Sequence, residues 1–214
     1  MNILVIGLGY FGESLAVELS RMGHEVLGVD TDMAVVQRNA SRLAHTMQMD
    51  GTDLEALRGL EIPSFDICIV GRGSILQESV LITLNLKELE ARYIIAKALT
   101  DPQRIILERL GANQIVQPER NMGKRLAHMI GSSTETLDYM DIPGDYCIEE
   151  IAAPQDWWGR SLRDLRLPSR YGLHVLVAKS GDQLKALPEA DTVIRQGDVL
   201  IVFGRGADFA PLKR

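Results

Sequence analysis

The chain has no excess of positive charge, and this limits its expected partners. Its 214 residues include 23 Lys and Arg against 29 Asp and Glu, for a net charge of -6. The excess of acidic residues is spread evenly along the chain. There are 13 basic and 16 acidic residues up to Thr134, and 10 basic and 13 acidic residues after it. A mildly acidic chain without a basic arm gains no counterion release on a phosphate backbone, so nucleic acid is not an expected partner.

Cysteine and long apolar runs are also scarce. Cys68 and Cys147 are the two cysteines, and each lies in a strand-like apolar run that predicts a buried thiol rather than a disulfide or a metal site. No apolar run approaches the length of about 18 residues that spans a bilayer. The first residues lack the basic region and cleavage site of a signal peptide. The expected location is the cytoplasm, which leaves docking on a membrane protein open.

The first 118 residues alternate short apolar runs with amphipathic stretches. The predicted strands are Asn2–Ile6, His24–Asp30, Thr46–Met49, Asp66–Val70, Arg92–Ala96 and Gln114–Val116. The predicted helices are Phe11–Met22, Asp32–Leu43, Leu54–Leu60, Ser74–Leu89 and Pro102–Leu110. Regular alternation of strand and helix with short connections predicts an α/β fold, a Rossmann-like doubly wound parallel sheet.

The pattern changes after Pro118. A helix is predicted at Asn121–Ile130, and its apolar face would either pair two subunits or pack against its own domain. Residues 131–145 are polar and are predicted to form a loop-like linker. The rest is rich in predicted strands and indicates a small α+β domain. The predicted domains are therefore 1–133, with a dimerisation helix at about 121–131, and 134–214.

A glycine pattern opens the chain between the first strand and the first helix. Gly7, Gly9 and Gly12 form a G-x-G-x-x-G motif. Gly7 permits the tight turn, Gly9 lets a pyrophosphate approach the backbone, and Gly12 lets the helix pack closely on the strand. The free N–H groups and the dipole of the following helix favour an anion, so this turn predicts a phosphate site.

Acidic residues follow the next two strands. Asp30 ends the second strand, where a carboxylate accepts hydrogen bonds from a ribose 2′-hydroxyl and, together with Asp32, repels a 2′-phosphate. NADP is therefore disfavoured, whereas NAD, ATP and ADP stay open. Asp50 and Thr52 follow the third strand and would contact an adenine or the neighbouring backbone, and a cap for the helix at Leu54 is a further interpretation compatible with both.

No catalytic pattern accompanies the glycine turn. None of the four histidines is paired with a carboxylate in a recognisable motif, and no Walker lysine follows the turn. A domain that binds a nucleotide without catalytic groups indicates a sensor. A small NAD-dependent oxidoreductase and a free-standing nucleotide sensor are the alternatives.

Several runs together resemble one family over essentially the whole chain. The runs GLGYFG, VDTD, MDGTD, FDICIVG, IIAKA, ERLGANQIVQPERNMGKRLA and RQGDVLIVFG are similar to RCK (regulator of potassium conductance) proteins, the TrkA- and KtrA-like regulatory subunits of bacterial potassium uptake systems. The stretch 111–127 is the most specific part. The resemblance implies no enzyme but a cytoplasmic subunit, peripherally bound to the membrane through a Trk- or Ktr-type potassium transporter. It also implies a homodimer that assembles into a ring, typically an octamer.

The resemblance further implies an adenine nucleotide, ATP, ADP or NAD(H), at the glycine turn and cyclic di-AMP as a second ligand of the C-terminal domain. It assigns Gly7, Gly9, Gly12, Asp30, Asp50, Thr52 and Lys97 to the nucleotide, and the full predicted set of contact residues adds their neighbours Tyr10, Phe11, Thr31, Gly51, Gly71 and Arg72. Glu119 matches an acid that helps to hold a divalent cation at the dimer interface, and capping of the following helix is its other interpretation.

Two residues depart from the family pattern. Tyr10 stands where Ktr-type subunits commonly carry an arginine that reaches the γ-phosphate of a neighbouring subunit. Arg72 lies in the run VGRGS, which replaces the more usual V-A-x-G, and would either supply a cation from another direction or stay solvated. These departures leave the choice between ATP and NAD(H), ADP or AMP open.

Overall fold

The computed structural model describes residues 1–73, 75–131 and 136–212. These residues form two compact units, Met1–Arg120 and Asn121–Arg214. In this part of the chain, no helix combines the length and the apolar character needed to cross a bilayer.

The first unit is a six-stranded parallel sheet with helices between the strands. Its strands are β1 (Asn2–Ile6), β2 (Glu25–Asp30), β3 (His45–Gln48), β4 (Ile67–Val70), β5 (Ile94–Lys97) and β6 (Gln114–Val116). The intervening helices are α1 (Tyr10–Arg21), α2 (Met33–Asn39), α3 (Leu54–Arg58), α4 (Leu76–Glu88) and α5 (Asp101–Arg109). The strand order β3-β2-β1-β4-β5-β6 reverses direction between β1 and β4, as in a doubly wound sheet. The fold class predicted for this part is confirmed.

The four central strands of this sheet, β2, β1, β4 and β5, are largely buried because both faces are covered. Ile3, Leu4 and Val5 of β1 are fully buried, and one core cluster lies on each side of the sheet. Such continuous apolar runs are typical of parallel strands between two helix layers. Cys68 belongs to this core, and burial raises the pKa of its thiol to about 12.

The helix α6 (Pro118–Gly131) begins in the first unit and continues into the second. The exposed fractions of Met122, Leu126 and Ile130 are 49%, 46% and 82%, and no residue of this helix is buried.

The second unit contains a five-stranded antiparallel sheet in the order β10-β9-β11-β8-β7. Its strands are β7 (Thr136–Ile142), β8 (Tyr146–Ala152), β9 (His174–Ser180), β10 (Gln183–Ala186) and β11 (Val199–Arg205). Two short helices, α7 (Leu162–Leu165) and α8 (Leu167–Tyr171), pack on a core that includes Trp157 and Phe209. This small α+β unit agrees with the prediction.

The predicted loop-like linker over 131–145 is wrong for residues 136–142, which form β7. β7 lies at an edge of the sheet, pairs only with β8 and has a register shift between Thr136 and Asp138. Thr136 is buried whereas Leu137 and Met140 are exposed, so the apolar residues of β7 do not alternate with polar ones in the way that identifies a half-buried strand. Residues 132–135 of the predicted linker, and Ser74 of the predicted fourth helix, lie outside the described residues.

An ion-pair cluster joins α1 to the end of α2. Glu13 accepts hydrogen bonds from Arg38 at 2.8 Å and from Arg42 at 2.7 Å, and its side chain is 20% exposed. The hydrogen bonds from Arg38 and Arg42 hold the pKa of Glu13 at about 2, well below its ordinary value of 4.5. The folded state therefore favours the ionised carboxylate.

We expect Glu13→Gln to lower the free energy of unfolding at pH 7 by about 1 kcal/mol or more, because two partly screened charge-assisted hydrogen bonds are weakened. A depressed pKa contributes stability above the unfolded-state pKa, and this contribution falls as the pH drops from about 5 towards 2. The difference between the variant and the wild type in urea denaturation should thus be smaller at pH 3 than at pH 7.

The matched control is Glu18→Gln, because Glu18 pairs with Arg21 at 3.5 Å with both side chains well exposed. Such pairs contribute little, so this variant should unfold like the wild type at both pH values. Equal losses for Glu13→Gln at pH 3 and pH 7 would contradict the assigned ion-pair cluster.

Candidate functional site

The turn after β1 leaves the first N–H groups of α1 open to a ligand. Gly7 has a φ of +96°, which favours glycine, and its N–H donates to Val29 O at 2.7 Å. A Cβ on Gly12 would lie 1.9 Å from Gly7 O, so the helix can approach β1 this closely only with glycine. Gly9 is the N-cap of α1, and no side chain caps the helix. The turn therefore presents unpartnered donors at the positive end of the helix dipole.

Gly9 differs from the other glycines of the turn. An added Cβ there would meet no protein atom within 4 Å, and its φ of -67° suits any residue. Neither packing within the protein nor the backbone conformation therefore requires glycine at this position. A ligand that closely approaches the backbone would require it.

Asp30 lies at the end of β2, beside the turn. Its Oδ2 accepts from the Leu8 N–H at 2.8 Å and its Oδ1 accepts from the Asp32 N–H at 3.0 Å. The side chain thus fixes the turn, a structural role that sequence reasoning missed. Each carboxylate oxygen has a second lone pair, so these bonds leave acceptor capacity for a ribose hydroxyl.

Arg72 follows β4 and reaches across towards the end of β2. Its Nη1 donates to Thr31 Oγ1 at 3.3 Å, and its Nε lies 3.1 Å from Glu78 Oε2. The side-chain stem lies over Gly7, since a Cβ on Gly7 would be 2.4 Å from Arg72 Cγ. Glu78 was not anticipated, because the sequence gives no sign of which carboxylate an arginine in a loop will meet.

Lys97 ends β5, on the other side of β1. Its Nζ donates to Glu119 Oε1 at 2.5 Å and lies 5.6 Å from the centre of the Phe11 ring. Burial works to raise the pKa of Glu119, but the hydrogen bond and charge of Lys97 outweigh it and lower that pKa. Glu119 lies in the first turn of α6, so both interpretations given for it remain compatible with its position.

These side chains surround one cleft of about 340 Å³, a volume within the range of small-molecule sites. Its described lining consists of Gly9, Tyr10, Phe11, Asp30, Gly71, Arg72, Gly73, Lys97, Leu99 and Glu119. Eight of these were predicted, and Gly73 and Leu99 were missed. Both missed residues lie within three positions of a strand's carboxyl end, and ligands of such sheets bind at this edge. Their position after a strand could therefore have identified them from the sequence.

In the run after β3, contact with the neighbouring backbone is the predicted alternative that the structure shows. Asp50 accepts from the Thr52 N–H at 2.9 Å and from the Thr52 hydroxyl at 2.8 Å. A Cβ on Gly51 would lie 2.4 Å from Ile6 Cγ2, so Gly51 packs on the core. Asp53 caps α3, which makes the predicted capping role of Asp50 and Thr52 wrong.

The described lining of the cleft contains no histidine, cysteine or serine. Within the described residues, no three His, Cys, Asp or Glu side chains converge to hold a metal ion. Glu119 therefore offers a single carboxylate rather than a complete ligand set.

Comparison with known proteins agrees with this geometry. The TrkA-N domain model matches residues 3–118 and the TrkA-C domain model matches residues 148–214. The Ktr system potassium uptake protein C of Bacillus subtilis is 39% identical over 210 residues, which cover 98% of this chain and 95% of that protein.

Among solved structures, the GsuK RCK domain superposes with a TM-score of 0.68 at 20% identity, over 99% of this chain and 46% of that chain. The GsuK channel bound to NAD gives a TM-score of 0.67 at 20% identity, over 99% of this chain and 38% of that chain. The chain spans less than half the length of these two chains, and the likeness establishes the RCK fold alone. The two matched domains and the Ktr relative, which is covered almost from end to end, show that the chain belongs to the TrkA family of potassium uptake proteins.

Proposed function

We propose that the chain is a cytoplasmic, nucleotide-sensing regulatory subunit that gates a membrane potassium transporter of the Trk or Ktr type. The observation that carries this proposal is the uncapped glycine turn at a cleft whose described lining contains no histidine, cysteine or serine. Family membership supplies the transporter as the partner. The chain would then lie at the inner face of the membrane, bound through that partner.

The ligand of the cleft would be an adenine nucleotide. The turn would hold its phosphates and Asp30 would accept a ribose hydroxyl, as in dinucleotide-binding folds. Asp30 and Asp32 would repel a 2′-phosphate, so NADP should bind more weakly than NAD. The GsuK channel shares the fold and has been solved bound to NAD. We therefore include NAD with ATP and ADP among the proposed ligands of the cleft.

Regulation requires that the nucleotide bind two conformations of the assembly with different affinities. Glu119 lines the cleft and lies in the first turn of α6, the helix that continues into the second unit. A nucleotide that changes the surroundings of Glu119 would therefore act directly on the helix that joins the units.

We expect Gly9→Ala to fold normally but to bind ATP, ADP and NAD(H) at least about tenfold more weakly than the wild type. The added methyl group meets no protein atom and stands where a phosphate would approach the backbone. Calorimetry measures the affinities, and potassium uptake by cells that express the transporter measures the regulation, which should no longer respond to the nucleotide.

Gly12→Ala is the comparison variant. Its methyl group would lie 1.9 Å from Gly7 O, so we expect a loss of stability of about 2 kcal/mol or more. Normal nucleotide affinity in Gly9→Ala, or a wild type that binds none of these nucleotides at millimolar concentration, would contradict the proposal.

We propose that the chain is not an enzyme. A dehydrogenase needs a proton donor beside the nicotinamide. His45 lies at the amino end of β3, away from the carboxyl edge where the cleft opens, and His24 lies between α1 and β2. Turnover of NADH with any small-molecule substrate would instead favour the oxidoreductase alternative.

We further propose that Glu119 binds a divalent cation together with the phosphates of the nucleotide, at an interface between two copies of the chain. One carboxylate does not suffice for Mg²⁺, which commonly combines one or two carboxylates with phosphate oxygens. Lys97 now neutralises Glu119, and a cation would replace that ammonium group.

Mg²⁺ should increase the affinity of the wild type for ATP, and we expect Glu119→Gln to abolish this gain in affinity. Affinity without Mg²⁺ should not fall in the variant, because Lys97 keeps its charge. Calorimetry with and without Mg²⁺ separates the two effects, and Glu108→Gln on α5 is the control. If Mg²⁺ raised the ATP affinity of Glu119→Gln as much as that of the wild type, Glu119 would not be a ligand of the cation.

Self-association would use the exposed apolar face of α6. Met122, Leu126 and Ile130 are each about half exposed or more, and a second copy would bury them in a homodimer, the building block of a ring.

Ile130→Glu should therefore lower the mass measured by sedimentation equilibrium. Leu187→Glu, which changes a 77% exposed leucine elsewhere, should leave the mass unchanged. A variant at Ile130 with the mass of the wild type would exclude this face as the dimer contact.

Cyclic di-AMP, as a second ligand, would need a site in the second unit. The candidate place is a cavity of about 270 Å³, and its lining includes Arg163 and His174. A pair of such cavities from two copies would offer more room for a cyclic dinucleotide than one cavity alone.

A further inference from the structure

The cleft has two cationic residues in its described lining, and they lie on opposite sides of the glycine turn. Arg72 reaches Thr31 at the end of β2, whereas Lys97 lies at the end of β5. Because the strand order is β3-β2-β1-β4-β5-β6, the ends of β2 and β5 fall on different sides of β1. The two charges therefore face different parts of an elongated ligand that crosses the turn.

The backbone on either side of Arg72 is firmly held. Ser79 Oγ donates to Arg72 O at 2.7 Å, and Gln103 Nε2 donates to Gly73 O at 3.2 Å. Gly71 N donates to Ile6 O at 2.8 Å, which ties this segment to β1. The Arg72 stem rests on Gly7. The backbone that carries Arg72 is thus held in place, and so is the start of its side chain.

The guanidinium group retains donors for a ligand. It has five N–H groups, and its two recorded partners are Glu78 and Thr31. The Arg72 side chain is 33% exposed. Its charge also reaches Asp50, whose pKa is lowered first by the Thr52 backbone and hydroxyl and further by Arg72. The group is therefore charged, accessible and directed to the end of β2.

In sheets of this order, the adenosine part of a nucleotide lies over β1, β2 and β3, with the ribose at the acid that ends β2. We propose that Arg72 binds the adenosine 5′-phosphate part of the nucleotide, whichever group follows the first phosphate. Its planar group suits both an aromatic base and a phosphate. This assignment rests on the proposed nucleotide site, and it makes the ligand class any nucleotide that begins with adenosine 5′-phosphate.

The test compares AMP, ADP, ATP and NAD by calorimetry. Arg72→Gln keeps a Cγ on Gly7 and removes the charge, so the variant should fold, with a thermal midpoint lowered only by the loss of the ion pair with Glu78. We expect all four ligands to bind about tenfold more weakly or worse, by a similar factor for each. Arg72→Lys, which keeps a charge without the planar fork, should recover part of the loss.

Arg92→Gln is the control, because Arg92 pairs with Asp66 at 3.3 Å before β5 and β4, at the amino edge of the sheet. It should leave all four affinities unchanged. An unchanged AMP affinity in Arg72→Gln, a loss confined to ATP, or tighter binding of every ligand would each overturn the proposal. A wild type that binds no nucleotide would instead overturn the proposed site itself.

Discussion

The close approach of α1 to the end of β1 is the constraint on which the site depends. Gly12 has no Cβ because that atom would overlap Gly7 O, and Gly7 turns the chain in a conformation that favours glycine. This contact places the first N–H groups of α1 at the switch point of the sheet. Asp30 then fastens the turn from β2 through the Leu8 N–H, so the phosphate cradle forms only when β1, α1 and β2 have assembled.

Much of the first unit follows from its sequence, because parallel strands buried on both faces are continuous apolar runs and their glycine turn has a distinctive spacing. The carboxyl edge of such a sheet gathers the residues that follow its strands, so Asp30, predicted from the end of β2, lines one cleft with Arg72 and Lys97, to which the family resemblance pointed. The antiparallel sheet was harder to predict. β7 and β10 are edge strands, and the four residues of β10 are all exposed, so neither strand has the burial alternation that would identify it.

The sequence did not predict the hydrogen-bond and ion-pair partners of individual side chains. The capping of α3 by Asp53 rather than Asp50 depends on where the turn begins, a shift of three residues. The pairing of Arg72 with Glu78 and of Lys97 with Glu119 depends on how loops and helix ends meet around the cleft. These pairings decide where each positive charge points, and thus which part of a ligand each charge meets.

The division between the two units falls within a helix rather than in a loop. Domain boundaries usually lie in exposed linkers, where a chain can be cut without disturbing either part. Here the first unit ends at Arg120, three residues into α6, and Glu119 lies at that point. A fragment that stopped there would keep its sheet but leave Glu119 on a frayed helical turn, since a single turn is not stable alone. The cleft is therefore complete only in a chain long enough to continue α6 beyond the unit that contains it.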